Sequence, residues 1–362
     1  MFSSGETISV EIKMKTAKTI MAFLLMVGCT MNVTAAQAED FLIPADMVYI
    51  GYVPSVMGLD KEAPVTPGTA SAAYQQRNRT PASTFNDEGP AHMVFLDPYL
   101  IDKYEVSNKN YRDFLKSTGY PAPAYWDDPR LNRQDQPVVG VSWYDAKTYC
   151  EYLSKRLPTE AEWEKAARGP HGNLYPWGNE FDPAKANFSK NHQVTMPVDS
   201  YREGVSYYGL HNMAGNVFEW VSDWYDPKFY GRLEPMVNPT GPAKPAWIGG
   251  TGTYVDFLAL GEKRVIRGGS WIAPEATLRA THRFWNHPSN NSYGVGLGFR
   301  CAKTAPPEIE LQIKQAHTMA LVEMGRENNA EARQAIARGL ALDPKDADLL
   351  ELRSLIEQAK KP

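Results

Sequence analysis

The sequence lacks several features that would assign it to a large functional class. Its 38 Lys and Arg residues form no long basic run and the formal net charge is −4, which argues against a general nucleic-acid-binding protein. It contains no serine-nucleophile motif, no glycine-rich phosphate loop and no His-Glu zinc helix. Cysteine is also rare, with three residues in a chain of 362. The function therefore has to be sought in other patterns.

The N-terminal segment has the three parts of a secretory signal. Lysines precede an apolar run at residues 19–33, and an A-x-A pattern ends at Ala38. The run is short for a membrane-spanning helix, so we expect no transmembrane span in the mature chain. We predict a signal peptide at residues 1–38 and a periplasmic or secreted protein. The alternative is a lipoprotein anchored at Cys29, because the residues around it weakly resemble a lipobox.

Removal of the signal would leave two cysteines, Cys150 and Cys301. An even number of cysteines in an oxidising compartment predicts one disulfide. In a chain-entropy model this cross-link would stabilise the fold by roughly 5 kcal/mol, because it closes a very long loop. The alternative is a pair of buried free thiols.

Aromatic residues, glycine and proline are plentiful, with 9 Trp, 19 Tyr, 27 Gly and 27 Pro. This composition favours a fold rich in loops and short strands. No long periodic segment occurs between residues 170 and 300. A region of this kind needs cross-links, bound ions or aromatic packing to hold it together.

Local patterns predict short strands and short helices before residue 170. Apolar residues alternate at residues 41–58 and 91–107, which favours strands. A helix is expected to begin after Ser107 and to end at Gly119. Two more helix starts are indicated by N-cap patterns, Ser142 with Asp145 and Thr159 with Glu162.

The composition changes near residue 304. Residues 308–360 are rich in Ala, Leu, Glu and Lys with a 3.6-residue periodicity, and the sequence LDP at 342–344 marks a turn. This pattern resembles a tetratricopeptide-type helical hairpin. One such unit cannot bury its own apolar face. We therefore expect residues 304–362 to form a helical hairpin that docks on the main domain or on a protein partner.

Five sequence blocks between residues 87 and 303 occur in a fixed order. They are DEGPAHMVFLDPYLIDKYEVSNKNYRDF, PVVGVSWYDAKTYCEYLSKRLPTEAEWEKAARG, YPWGNEF, YGLHNMAGNVFEW, and RGGSW followed by LGFRCAK. Together they closely resemble the formylglycine-generating enzyme (sulfatase-modifying factor) family. The resemblance implies an α+β domain over residues 39–303, a variant of the C-type lectin fold with little regular secondary structure. It also implies a structural disulfide between Cys150 and Cys301.

The resemblance also implies a particular chemistry, which this sequence does not support. Active family members oxidise a sulfatase cysteine to formylglycine with copper held by two cysteines. The matching positions here are Ala273 and Leu278. A thiolate is a strong ligand for monovalent copper, whereas these aliphatic side chains offer no donor atom. We predict that the protein does not generate formylglycine with copper, and whether it is an enzyme at all stays open.

The HNMAGNVFEW block is the strongest candidate for an ion site. In the family this block binds structural calcium, and a hard cation prefers such carboxylate, amide and carbonyl oxygens. The matching residues are Asn212, Gly215, Val217 and Glu219. The alternative is a Gly-Asn turn in which the glutamate pairs with an arginine. A second family calcium site would begin at Asn187 and Phe188, but no Asp follows at the expected distance.

The resemblance places a substrate cleft at RGGSW and LRATHRFW. The candidate side chains are Ser270, Trp271, Arg279, His282 and Arg283. The two arginines are four residues apart, so on a helical turn they would share a face and suit an anionic ligand. The alternative is that they bridge buried acids and hold the loops together.

The histidines invite a metal interpretation, because imidazole binds iron, zinc and copper. His282 and His287 are five residues apart, which is not a helical ligand spacing, and a carboxylate partner is missing unless Glu275 folds back. His192 and His211 would have to join from elsewhere in the chain. Ordinary hydrogen-bonding or surface histidines are the simpler interpretation.

Two functional hypotheses follow. The first is an exported formylglycine-generating-enzyme-like protein without copper-cysteine chemistry. It would act as a partner-binding accessory or maturation factor or as an envelope scaffold, with residues 304–362 contacting a protein partner. The alternative is an oxidoreductase without copper, for example an iron-dependent one, that modifies a protein or a secreted metabolite.

Overall fold

The computed structural model describes residues 43–60, 87–231, 236–245, 262–290 and 294–358. The predicted signal peptide at residues 1–38 and Cys29 lie outside the described residues. In the described part of the chain, no helix is long and apolar enough to cross a membrane.

The described residues form short helices and short strands, as the α+β prediction requires. The helices are α1 (Asn108–Thr118), α2 (Trp143–Tyr152), α3 (Glu160–Arg168), α4 (Pro307–Gly325), α5 (Asn329–Leu342) and α6 (Ala347–Gln358). The strands are β1 (Met47–Ile50), β2 (Ser55–Met57), β3 (His92–Phe95), β4 (Tyr99–Asp102), β5 (Phe218–Trp224), β6 (Met236–Val237), β7 (Arg264–Arg267), β8 (Arg283–Asn286), β9 (Leu297–Phe299) and β10 (Ala302–Thr304).

These strands form three small sheets within the described ranges. Their orders are β1-β4-β10, β2-β3-β6 and β8-β7-β5-β9. In the last sheet β5 is central, pairing antiparallel with β7 and parallel with β9. The strands predicted at 41–58 and 91–107 are confirmed as β1 to β4.

The predicted helix caps are confirmed. The Ser107 side chain accepts a hydrogen bond from the Asn110 N–H, and α1 is followed by Gly119 in the left-handed conformation. α2 and α3 each begin with a complete capping box, in which the cap hydroxyl and the carboxylate three residues later both bind backbone N–H groups.

Two apolar cores lie on opposite sides of β5. Side chains alternate along a strand, so Trp220 packs into one core with Tyr149 and Phe299, while Val221 packs into the other with Trp163. Every residue of α3 is buried, its glutamates included. Carboxylates that are buried in this way need charged or hydrogen-bonding partners.

The structure joins Cys150 to Cys301 by a disulfide, with the two Cα atoms 5.7 Å apart. The bridge joins α2 to the two-residue segment between β9 and β10. Both cysteines are fully buried in the core that contains Trp220. The cross-link therefore closes a loop of about 150 residues between two elements that pack on the same core.

Residue contacts divide the chain between Thr304 and Ala305, and the unit that follows is helical. The predicted hairpin corresponds to α5 and α6, and α4 adds a third helix in front of it. A Cβ atom at Gly339 would lie 2.4 Å from Leu349 Cδ1 and 3.0 Å from Ala316 Cβ. The three helices therefore approach each other so closely that only glycine fits at this position.

Replacement of Cys150 and Cys301 by Ser should lower the melting temperature markedly, because the unfolded chain regains the freedom that the cross-link removes. Thermal unfolding of the wild-type protein and the double variant checks this. In non-reducing peptide mapping of the wild-type protein, the two cysteine peptides should be found linked. An unchanged melting curve, or alkylation of both cysteines without reductant, would contradict the bridge.

Candidate functional site

The candidate cleft residues lie in the connection between β7 and β8. β7 ends at Arg267, two glycines follow, and a 3₁₀ turn spans Glu275–Leu278 before β8 begins at Arg283. The five predicted side chains are Ser270, Trp271, Arg279, His282 and Arg283. The structure places Arg279, His282 and Arg283 against acids from α3 and from the segment before β3.

Both predicted arginines bind buried acids. Arg279 Nη2 lies 2.5 Å from Glu88 Oε1. Arg283 donates from Nε and Nη2 to the two oxygens of Glu160 at 2.8 and 3.0 Å. They therefore cross-link the loops, as the alternative interpretation states. The expectation of a shared helical face is wrong, because the 3₁₀ turn ends at Leu278 and Arg283 already belongs to β8.

Glu88 contacts three polar side chains of this connection. Besides Arg279 it accepts a hydrogen bond from Thr281 Oγ1 at 2.7 Å, and His282 Nδ1 lies 3.4 Å away. Burial raises the pKa of Glu88, but the hydrogen bond with His282 and the charge of Arg279 outweigh it and lower this pKa to about 2. Burial also lowers the pKa of His282, so the buried imidazole is neutral at neutral pH.

Ser270 and Trp271 differ in their burial and in their hydrogen bonds. Ser270 is fully buried, and within the described residues its Oγ has no hydrogen-bond partner. Trp271 is half-buried, and its indole N–H donates to the Val295 carbonyl at 2.7 Å. This bond fixes the loop after β7 against the segment that leads into β9. Within the described residues, no base is hydrogen-bonded to Ser270 Oγ to activate it as a nucleophile.

An apolar surface lies next to this connection, and we call it the aromatic strip. It consists of Phe218, Phe284 and Trp285. The rings of Phe218 and Phe284 stack with centroids 5.7 Å apart, and those of Phe284 and Trp285 stack at 5.6 Å. Phe284 is 40% exposed. Large apolar side chains grouped at a surface are typical of binding sites.

The positions that match the copper cysteines are occupied by packed aliphatic side chains. Ala273 is buried, and its carbonyl accepts a hydrogen bond from the Ser189 N–H. Leu278 is fully buried in a cluster with Tyr175, Ala186, Phe188 and Ala214. The position that matches the second copper-binding cysteine is therefore filled by a side chain of an apolar cluster.

In the predicted calcium block, Glu219 is paired with an arginine. Arg300 donates to both of its oxygens at 2.7 Å, and the Trp163 indole N–H donates to Oε2 at 2.8 Å. All three side chains are fully buried. This is the arrangement of the alternative interpretation. Calcium at this block therefore stays a prediction.

Beside this pair lies a second buried acid that the sequence did not point to. Glu105 accepts hydrogen bonds from the side-chain amides of Asn212 and Asn216 at 2.9 to 3.1 Å. Burial and the nearby charge of Glu219 raise the pKa of Glu105 to about 8, against the lowering effects of Arg300 and the two amides.

The second predicted calcium segment touches the first. The Asn187 carbonyl accepts a hydrogen bond from the Asn216 N–H at 2.8 Å. A Cβ atom at Gly215 would lie 2.4 Å from the same carbonyl oxygen, so only glycine permits this approach. Asn187 is fully buried, and its Oδ1 has no hydrogen-bond partner within the described residues. An oxygen of this kind suits a hard cation. The side chain of Phe188 packs in the Leu278 cluster and that of Val217 in an apolar group, which leaves the predicted role of the Val217 backbone carbonyl untested.

The histidines are dispersed. Among the described residues, no three His, Cys, Asp or Glu side chains are grouped closely enough to share a metal ion. His282 is buried against Glu88, whereas His287 and His192 are exposed. His211 Nδ1 lies 3.1 Å from a backbone carbonyl. These positions agree with ordinary hydrogen-bonding and surface histidines.

The acids were the residues that the sequence analysis missed. Arg267 binds Glu164, which also binds Arg168 at 2.9 Å. Glu160 and Glu164 are four residues apart on α3, so they share one face of a fully buried helix. That spacing was the available signal. Glu88 stands in the first quoted block, and no local pattern there indicates its partners.

Replacement of Glu105 by Gln should flatten the dependence of stability on pH. The folded-state pKa of about 8 lies above the ordinary glutamate value of 4.5, so the folded protein binds the proton more tightly. This contribution is fully present below pH 4.5 and is lost as the pH rises through about 8. The wild-type protein should therefore lose stability relative to the variant, by on the order of a few kcal/mol, across this window. Urea unfolding at several pH values checks it.

The control for this experiment is Glu203→Gln at an exposed position, which should leave the wild-type pH profile unchanged. Parallel profiles for the wild-type protein and the Glu105 variant would contradict the assignment.

Comparison with known proteins agrees with this geometry. The formylglycine-generating enzyme of Mus musculus is 31% identical over 338 residues, which cover 76% of this chain and 84% of the mouse protein. The serine/threonine-protein kinase pkn1 of Chlamydia caviae is 38% identical over 238 residues, which cover 60% of this chain. The match spans only 35% of that kinase. The solved structure of PvdO from Pseudomonas aeruginosa matches with a TM-score of 0.53 and 26% identity, over 72% of this chain and 94% of PvdO.

The family model described as the sulfatase-modifying factor enzyme 1-like domain matches residues 57–305. This range covers more than half of the chain and contains the β7–β8 connection, the disulfide and the Glu219–Arg300 pair. The fold is the C-type lectin-like variant that the resemblance implied. The chain belongs to the sulfatase-modifying factor enzyme 1-like domain family.

Proposed function

We propose that this protein is an exported member of its family that has lost copper-cysteine chemistry and works by binding a protein partner. The partner would be an envelope protein or an exported enzyme that this protein helps to mature or to assemble. The observation that carries the proposal is the replacement of the two copper ligands by Ala273 and Leu278, the second of which is packed in a hydrocarbon cluster.

The cysteine inventory supports the loss of this chemistry. Within the described residues the two cysteines, Cys150 and Cys301, are buried in a disulfide. A thiolate is a strong, soft ligand for monovalent copper, and a disulfide sulfur is not a thiolate. The polar side chains of the connection are occupied as well, since Arg279 and Arg283 neutralise buried acids.

The aromatic strip is the surface that we assign to the partner. Aromatic side chains supply much of the binding energy in protein interfaces. Phe284 stands at the centre of the strip, because it stacks on Phe218 and on Trp285. The helical unit offers a second surface, since Leu311, Met319 and Leu321 of α4 are exposed. This agrees with the expectation that residues 304–362 contact a partner.

The purified protein should not convert the cysteine of a sulfatase-derived peptide to an aldehyde in the presence of copper and oxygen. A hydrazide probe and mass spectrometry of the peptide check this, with the mouse formylglycine-generating enzyme as the positive control. Aldehyde formation would contradict the proposal. Stoichiometric iron in the purified protein that is lost on changing His282 to Ala would favour the oxidoreductase alternative instead.

Phe284→Arg should abolish capture of the partner, because it places a charge in the centre of the strip. We expect a loss of about 2 kcal/mol or more, roughly thirtyfold in affinity. The measurement is quantitative affinity capture from the native envelope with the full chain as bait. The matched control is Val237→Arg, which adds the same charge at an apolar side chain that is 70% exposed on β6.

A second variant, Leu311→Glu with Met319→Glu, tests the surface of α4. A protein that is captured equally by the wild-type bait and by both charged variants would contradict the proposal. The proposal is also contradicted if the Phe284 variant captures every protein that the wild-type bait captures. Loss with the α4 variant alone would move the interface to the helical unit.

A further inference from the structure

A separate cavity lies beside α2. Its volume is about 500 Å³, and its walls come from α2, the start of α3, the β3–β4 turn and the first residue of β7. The residues of the aromatic strip do not line it. Leu96, Pro98 and Trp143 give it apolar walls. Cavities of this size are typical of small-molecule sites. We call it the Arg264 pocket after the cation in its wall.

The guanidinium of Arg264 is held between two indole rings. Its central carbon lies 3.9 Å from the centroid of the Trp143 ring and 3.3 Å from that of Trp224. The two rings cover both faces of the planar group, so a ligand can approach only its edge. Nη1 donates to the Ser222 carbonyl at 2.5 Å. The arginine is thus positioned by its surroundings before any ligand arrives.

Arg264 differs from the other cations of the pocket. Lys147 pairs with Glu151 at 2.5 Å, and Arg156 pairs with Glu162 at 2.6 Å. Arg264 makes no ion pair within the described residues, and its buried Nε has no hydrogen-bond partner there. A guanidinium has five N–H donors, and the described residues use one of them.

Among the described residues, no nearby acid forms an ion pair with Arg264. Asp223 influences Arg264 electrostatically, but its Oδ2 accepts hydrogen bonds from the Glu160 N–H and the Ser222 hydroxyl. Burial lowers the pKa of Arg264 to about 10, which is still far above neutral pH. The pocket therefore holds a protonated guanidinium whose edge is not matched by a protein carboxylate in the described part of the chain.

We propose that the Arg264 pocket binds a ligand carboxylate against the edge of this guanidinium, with an apolar group of the ligand resting on Leu96, Pro98 and Trp143. The planar fork of arginine matches a carboxylate, which accepts two hydrogen bonds from it. The pocket wall carries three acids, Asp97, Glu151 and Glu162, against three cations, so it has no excess positive charge and suits a monocarboxylate better than a phosphate dianion. This inference does not depend on the proposed function of the aromatic strip.

A free organic acid and the C-terminus of a peptide offer the same carboxylate chemistry. The experiment therefore uses two matched probe pairs on the full wild-type chain: 3-phenylpropanoate with 3-phenylpropanamide, and N-acetyl-Ala-Ala-Phe with its C-terminal amide. Isothermal titration calorimetry and ligand-observed NMR give the affinities. At least one acid should bind, about tenfold or more tighter than its amide, because the amide forfeits a charge-assisted hydrogen bond. Preference for one acid identifies the source of the carboxylate.

Two variants locate the site. Arg264→Gln should weaken binding of the acid by about tenfold or more, whereas Lys147→Gln, which removes a cation already paired in the same pocket, should change it by less than about twofold. Equal binding of acid and amide, or no binding of either acid at millimolar concentration, would overturn the proposal, and so would unchanged affinity in Arg264→Gln. The comparison of acid with amide on the wild-type protein decides the question even if the arginine variant does not fold.

Discussion

The fold of the main unit depends on arginines that are buried with their charges paired. The guanidinium groups of Arg267, Arg283 and Arg300 are fully buried, and each binds a glutamate of α3 or β5 that is itself buried. Removing one partner from such a pair leaves an uncompensated buried charge, which costs several kcal/mol. These pairs have a geometric effect as well, because a planar guanidinium that binds several oxygens at once fixes their relative positions. In a chain with short strands, the pairs take over part of the ordering that long hydrogen-bonded elements supply elsewhere.

This constraint explains why the connection between β7 and β8 carries many polar residues that pair with buried acids and do not form an evident catalytic site. Its arginines and its buried histidine satisfy acids that belong to other elements. The surfaces that we propose for recognition are the apolar aromatic strip and the Arg264 pocket. The scaffold and these proposed surfaces use residues of the same strands. Arg267 at one end of β7 pairs with Glu164, whereas Arg264 at the other end makes no ion pair within the described residues, and its buried Nε has no hydrogen-bond partner there.

The local features of the fold could be predicted from the sequence, and the long-range ones could not. The caps at Ser107, Ser142 and Thr159 each depend on the residue three positions further on, so a single stretch of sequence specifies them. Arg279 and Glu88 are 191 positions apart, and nothing near either of them indicates the other. For the same reason the raised pKa of Glu105 was out of reach, since it arises from segments more than 100 positions away. The third C-terminal helix was missed because its periodicity merges with that of the hairpin.

The packing around Leu278 has a consequence for any attempt to introduce copper-binding cysteines. A cysteine at this position would be smaller than leucine and would leave a void among Tyr175, Phe188 and Ala214. Its thiol would be surrounded by hydrocarbon, which raises a thiol's pKa and withholds the thiolate that a metal needs. A second substitution at Ala273 would repair neither defect. Cysteines introduced at these two positions would therefore not form a copper site unless the cluster around residue 278 were repacked as well.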